Sequence, residues 1–135
     1  MGTSAPEGQP RILLVDDEPS LLQMMSVYLA RRGYAVTTAA STDRASALAE
    51  EQPLAFAAAV LDATMPGLSM ETLALKLLNL NPSLHVLAAS GYPVDVSALE
   101  AAAPGRVAFL HKPFSPEMLA AALRRMLAAQ EETGV

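Results

Sequence analysis

The 135 residues carry 14 Asp and Glu against nine Lys and Arg, a net charge of −5, and include no cysteine. A chain of this size is most simply one domain with a real hydrophobic core; the absent cysteines exclude disulfides, thiolate zinc sites and thiol nucleophiles, and an acidic balance with dispersed basic residues argues against a nucleic-acid surface. No apolar stretch approaches the roughly 20 residues that span a bilayer, and the N-terminal segment lacks the basic start and apolar centre of a signal peptide, so a cytoplasmic protein without membrane contact is expected.

Residues 1–10, with Gly, Pro and Ser, read as a disordered lead or an expression remnant, and residues 131–135 as a polar tail. Residues 11–130 read as one unit. Ile12 to Val15 are four consecutive apolar side chains, the pattern of a strand buried on both faces, and they run directly into Asp16, Asp17 and Glu18. Adjacent carboxylates repel, and desolvating them is costly unless a cation or a basic side chain compensates. A first helix is expected after Pro19, with Leu21, Leu22, Met25 and Leu29 on one face. It should end near Gly33, which suits a left-handed C-terminal position. A second strand covers Ala35–Ala39 and a second helix Thr42–Glu51, stopped by Pro53. The third strand, Ala57–Leu61, delivers Asp62; the helix after it takes Ser69 as its cap and carries Leu73, Leu77 and Leu78 inward until "NLNPS" breaks it. The fourth strand, Val86–Ala89, precedes an alanine-rich helix over Val94–Ala103, ended by Pro104-Gly105. After a fifth strand, Val107–Leu110, the last helix has Ser115 as cap, Pro116 at its first position and Glu117 in its first turn. It continues through Met118, Leu119, Leu123 and Met126.

Apolar runs alternating with helical patterns are the signature of βα units around a parallel sheet. Right-handed crossovers cover both faces of such a sheet with helices, giving an α/β doubly wound architecture that binds ligands outside the carboxyl ends of its strands. The residues at those ends are Asp16 and Asp17 for strand one, Asp62 for strand three, Ser90 for strand four, and Lys112 with Pro113 behind it for strand five. Strand two ends in Ala39 and Ala40, which carry no chemistry and place that strand at the rim. His111 has no partner His at metal-ligand spacing and reads as structural, while His85 belongs to the opposite end of the sheet. Met24, Met25, Met118 and Met126 fit helix packing better than a cofactor site.

The runs "VDDE", "VLDATMPG", "SGY" and "LHKPF", in that order after strands one, three, four and five, resemble the receiver domain of two-component response regulators. The likeness extends from Arg11 to about Ala129. It implies a flavodoxin-like (βα)5 fold, a parallel five-stranded sheet in the order 2-1-3-4-5. It also implies that Asp62 accepts a phosphoryl group from the phosphohistidine of a histidine kinase or histidine phosphotransfer protein. By the same resemblance Asp17 and Asp62 bind Mg²⁺, for which Mn²⁺ is a possible substitute, Asp16 binds it through water, and the Ala63 carbonyl completes the protein ligands. Lys112 and Ser90 contact the transferred group, and Thr64 and Tyr92 flank it and tune its lifetime. Ser90 and Phe109 form the switch, read out on the face of helix four, strand five and helix five, where a downstream protein or a second copy docks. Such a module catalyses only its own phosphorylation and dephosphorylation. The chemistry agrees: Mg²⁺ prefers hard oxygen ligands, and phosphoryl transfer needs positioning and charge neutralisation above all.

Three departures stand out. Receivers usually carry glycine eight residues after the acceptor, where this chain has Met70, with Gly67 available to supply the turn. Phe109 lacks the hydroxyl of a switch tyrosine, so its two states would differ by burial alone. "SGY", with Ser for the commoner Thr, resembles receivers attached to hybrid histidine kinases. Three other readings compete. A Mg²⁺-dependent phosphohydrolase with an Asp nucleophile has Asp-x-Asp after strand one, which "DDEPS" does not offer. A flavodoxin-like ligand binder needs a Gly-, Ser- or Thr-rich phosphate cradle where this loop is acidic. An interaction module that is never phosphorylated sits poorly with an intact set of the acidic pair Asp16 and Asp17 together with Asp62 and Lys112.

Overall fold

The apolar runs form strands and each is followed by a helix: β1 (Arg11–Val15), α1 (Pro19–Arg31), β2 (Ala35–Ala39), α2 (Thr42–Glu51), β3 (Ala58–Asp62), α3 (Met70–Leu80), β4 (His85–Ser90), α4 (Ser97–Ala102), β5 (Val107–His111) and α5 (Pro116–Thr133). This is a computed structural model, and residues 9–65, 67 and 69–133 are described. The expected lead falls outside them except for Gln9 and Pro10. The sheet is parallel throughout, in the order β2-β1-β3-β4-β5. The flavodoxin-like order is therefore as expected, with β2 at one rim.

Alternation along the strands divides the core into two layers. Ile12, Leu14, Ala58, Val60 and Leu87 pack with Leu22, Met25 and Leu29 of α1 and Leu119, Leu123 and Met126 of α5. Leu13, Val15, Ala59, Leu61, Val86 and Ala88 face the other way, onto Leu48 of α2, Leu73 and Leu77 of α3, and Leu99 of α4. Each fully buried Leu or Ile stabilises by roughly 1.5–3 kcal/mol. The central strands β3 and β4 are buried at every position. Among the described residues, no helix is long and apolar enough to cross a membrane.

Several boundaries differ from the sequence expectation. Asp62 and Ser90, expected one position past the ends of their strands, are the last ladder residues: Asp62 pairs with Ala89, and Ser90 with His111. Helix α4 begins at Ser97 instead of Val94, because the Asp95 carboxylate accepts both the amide of Ser97 at 2.9 Å and its hydroxyl at 2.6 Å. Such a local turn competes with the helix. Helix α5 reaches Thr133, so the expected polar tail begins within it. Met25 and Met126 are core residues, but Met24 and Met118 are half exposed. Each of these two sits one residue, about 100° of helix, before a buried neighbour.

The α3–β4 corner, at the end of the sheet away from the acidic residues, is held by Arg106. Its guanidinium donates to the carbonyls of Leu84 at 2.9 Å, Asn81 at 2.6 Å and Leu78 at 3.2 Å, the last being an otherwise open carbonyl of the final α3 turn. Arg106→Ala is expected to cost about 2 kcal/mol of stability, read as a lower urea midpoint with unchanged slope. An unchanged midpoint would show that water replaces the guanidinium at no cost.

Candidate functional site

Where β1 leaves the core, the strand alternation turns Asp16 inward, 6% exposed, and Asp17 outward. The Asp16 amide donates to the Ala39 carbonyl at 3.2 Å, and its Oδ1 accepts the Glu18 amide at 3.0 Å, so the chain turns at once into Pro19 and α1. Asp62 closes β3, also 6% exposed. Its Oδ1 accepts the amide of Thr64 at 3.0 Å and the Thr64 hydroxyl at 2.9 Å. Beyond β5, the Lys112 amide donates to the Ser90 carbonyl at 2.8 Å, extending the pairing by one residue. That register aims the side chain back across the sheet edge. Lys112 Nζ lies 3.2 Å from Asp16 Oδ2 and 3.3 Å from Asp62 Oδ2, bridging carboxylates from β1 and β3.

Burial alone disfavours the Lys112 charge, but the hydrogen bond and field of Asp16, then of Asp62, outweigh it and hold the ammonium above the ordinary lysine range. The stability this contributes is fully present at neutral pH and is lost only as the pH rises through that raised range. Asp16, Asp17 and Asp62 each place a carboxylate oxygen within 4.8 Å of the others. An all-oxygen set of this spacing fits a hard divalent cation with part of its shell left to water. One carboxylate exposed and two buried provide an open approach on one side and a fixed wall on the other.

Ser90 is 0% exposed, and its Oγ accepts the Tyr92 amide at 3.2 Å. The Ala63 amide is tied to the Ala89 carbonyl at 2.8 Å, which fixes the peptide leaving β3. Thr64 is exposed beside Asp62, and Tyr92 is 63% exposed. Phe109 stands apart from the carboxylates, half buried against the α4-side core, with His111 edge-on at 5.5 Å. His85 is buried at the start of β4, at the far end as expected. Gly67 takes a positive φ of 93°, and a Cβ there would meet Thr42 Oγ1 at 3.0 Å. Met70, in the place of the family glycine, is the buried first residue of α3, capped by Ser69, whose Oγ accepts the Thr72 amide at 3.1 Å. Gly67 thus supplies the left-handed turn, three residues earlier.

Sequence reasoning missed a cavity of about 450 Å³ beside Lys112, lined by Glu18, Leu21, Gly91, Lys112, Pro113 and Phe114. Leu21 was expected to face inward, yet it is only half buried. Its place one turn after the acidic run and the Phe of "HKPF" were the available signals.

Residues 12–124 match the family profile described as the response regulator receiver domain. Over 124 residues the chain is 34% identical to Sensor kinase CckA of Brucella abortus (strain 2308), an alignment covering 92% of this chain and 13% of that protein. A CheY-like receiver domain protein from Methanospirillum hungatei JF-1 has the same fold, with a TM-score of 0.79 and 29% identity over 93% of this chain and 99% of its own. The receiver domain from hybrid histidine kinase CckA gives a TM-score of 0.74 and 31% identity, covering 87% of this chain and 98% of its own. The first curated relatives it matches are longer proteins, of which the chain spans 13% and 53%. With the profile running from β1 into α5 over a sheet of receiver topology, the chain belongs to the response regulator receiver domain family, the aspartate-phosphorylated modules of two-component signalling.

Proposed function

We propose that Asp62 is the phospho-acceptor and that a histidine kinase or a histidine phosphotransfer protein is the donor. The observation that carries this reading is the Lys112 bridge, which holds the Asp62 and Asp16 carboxylates side by side within reach of Asp17. An oxygen of Asp62 bonds to phosphorus while the P–N bond of the phosphohistidine breaks and its electron pair leaves with the imidazole. Thr64, donating twice to Oδ1, and Lys112, beside Oδ2, fix the carboxylate plane for that approach. Asp17 and Asp62, Asp16 through water, and the Ala63 carbonyl would hold Mg²⁺, with Mn²⁺ as a substitute. What the ion supplies there is neutralisation of the transferring group's charge. Lys112 and the Ser90 hydroxyl serve the remaining oxygens. Thr64 and Tyr92 flank the product and set its lifetime, Tyr92 by standing in the way of attacking water.

The apolar cavity beside Lys112, with Leu21, Pro113 and Phe114 on its wall, suits the docking of a donor helix at the site. Labelling with acetyl phosphate, with and without Mg²⁺, tests the reading. Phosphorylation at one site that EDTA abolishes supports it, and labelling indifferent to EDTA refutes it. Asp17→Ala should weaken Mg²⁺ at least about tenfold, roughly 1.4 kcal/mol, because water replaces one of few charged ligands. Titration giving the wild-type affinity would place the metal elsewhere.

Readout is proposed through Ser90 and Phe109 to the face of α4, β5 and α5. Drawing the Ser90 hydroxyl toward a phosphoryl oxygen withdraws it from the Tyr92 amide and shifts the loop ahead of α4. Phe109, half buried against the same core cluster as that loop's Val94 and Val96, then gains space inward. Burying its ring is worth roughly 1.5–3 kcal/mol, enough to bias two states of a docking surface for a downstream protein or a second copy. Beryllofluoride should slow amide exchange over residues 94–123 in the wild type but not in Ser90→Ala. Equal exchange in both proteins would remove Ser90 from the switch.

A further inference from the structure

On the flank formed by α1 and α5, Tyr28, Arg32, Tyr34, Glu117, Ala120 and Arg124 line a cavity of about 340 Å³. None of these residues belongs to the carboxylate cluster or to the cavity beside Lys112. The Arg32 guanidinium lies 4.7 Å from the centre of the Tyr28 ring and donates to the Tyr28 hydroxyl at 2.7 Å. The ring contact and the hydrogen bond hold the guanidinium in place and leave further N–H groups unspent. Arg124 enters from α5 beside Tyr34. Half-burial pushes that phenol up and the nearby guanidinium pulls it back, so the hydroxyl remains a neutral donor at physiological pH. Among the described residues neither arginine is in an ion pair. Two of the nine basic residues of an acidic chain thus stand on the wall of one cavity.

We propose that this cavity binds a mononucleotide, with Arg32 and Arg124 holding its phosphate. Guanidinium forks match phosphate oxygens two at a time, and a pair of them aimed into one space accommodates a dianion. Glu117, on the same wall, disfavours a bare inorganic anion and accepts hydrogen bonds from a ligand that also carries donors. A nucleotide has both features, in its phosphate and in its sugar hydroxyls or exocyclic amine. The tyrosines offer ring surface, and the small Ala120 leaves the space open. The volume falls within the range of about 300–1,000 Å³ typical of small-ligand sites.

Calorimetric titration of the full chain with GMP, AMP and inorganic phosphate, all in EDTA so that the carboxylate cluster is not read, tests this. The expected result is a Kd below about 1 mM for at least one nucleotide, with inorganic phosphate at least about tenfold weaker. Arg124→Ala should weaken the nucleotide at least about tenfold, and Arg125→Ala, the same change of charge outside the lining, by less than about twofold. Arg124 and Arg125 are both exposed, so each variant should keep the wild-type circular dichroism. No heat from either nucleotide overturns the proposal. So does phosphate binding as tightly as the nucleotide, or equal loss in the two arginine variants, which would mark a diffuse field rather than a site.

Discussion

Asp62→Asn is expected to leave a folded protein that takes up no phosphoryl group, from acetyl phosphate or from a partner kinase. The substitution preserves shape: an amide oxygen can still accept from the amide and hydroxyl of Thr64, and the ladder pairing with Ala89 does not involve the side chain. What disappears is the proposed nucleophile. An uncharged amide is a poor attacking group, and its NH₂ would face the Lys112 ammonium where Oδ2 now accepts it. The labelling rate should fall at least about 1,000-fold, which corresponds to about 4 kcal/mol. Intact-mass spectrometry measures the phosphorylated fraction, and far-ultraviolet circular dichroism checks the fold. A wild-type phosphorylated fraction in a folded Asp62→Asn protein would move the acceptor to another residue.

The core of the fold was legible because β1, β3 and β4 are buried on both faces, and burial on both faces writes itself as an unbroken apolar run. The acidic site was legible for the same reason in reverse: a carboxylate directly after such a run can only stand at the sheet edge. The limits of the strands were less so. Asp62 and Ser90 interrupt the apolar pattern, yet their backbones stay in the ladder, since strand pairing is indifferent to side-chain polarity. At α4 a single carboxylate, Asp95, bonding two residues ahead, moved the helix start by three residues. The sequence has no local signal for Arg106, whose acceptors lie 22 to 28 residues away. Arg32 and Arg124 are far apart along the chain; they line one cavity only because α1 and α5 pack on one face of the sheet.

Lys112→Met is expected to separate the two duties of that lysine. In the wild type the ammonium compensates two carboxylates that are each 6% exposed. Its removal leaves Asp16 and Asp62 facing each other without a cation. Breaking a fully buried pair costs about 3–5 kcal/mol, and since the Lys112 side chain is 25% exposed, solvent screening reduces the expected loss to about 1–3 kcal/mol. Alkaline titration should show the same group from the other side: the wild type loses this increment as the pH rises through the raised lysine range, and the variant, having none to lose, does not. Phosphoryl transfer should fall at least about 100-fold, about 2.7 kcal/mol, because one oxygen of the transferring group loses its cation. Mg²⁺ should nonetheless stabilise the variant more than the wild type, since an ion entering the site no longer meets an ammonium already paired with its ligands. Thermal melts at pH 7 with and without about 10 mM MgCl₂ read this directly, because a ligand that binds only the folded state raises the midpoint by an amount that grows with the logarithm of its affinity. A variant as stable as the wild type, and no more responsive to Mg²⁺, would mean that water already screens the two carboxylates and that the bridge contributes orientation alone.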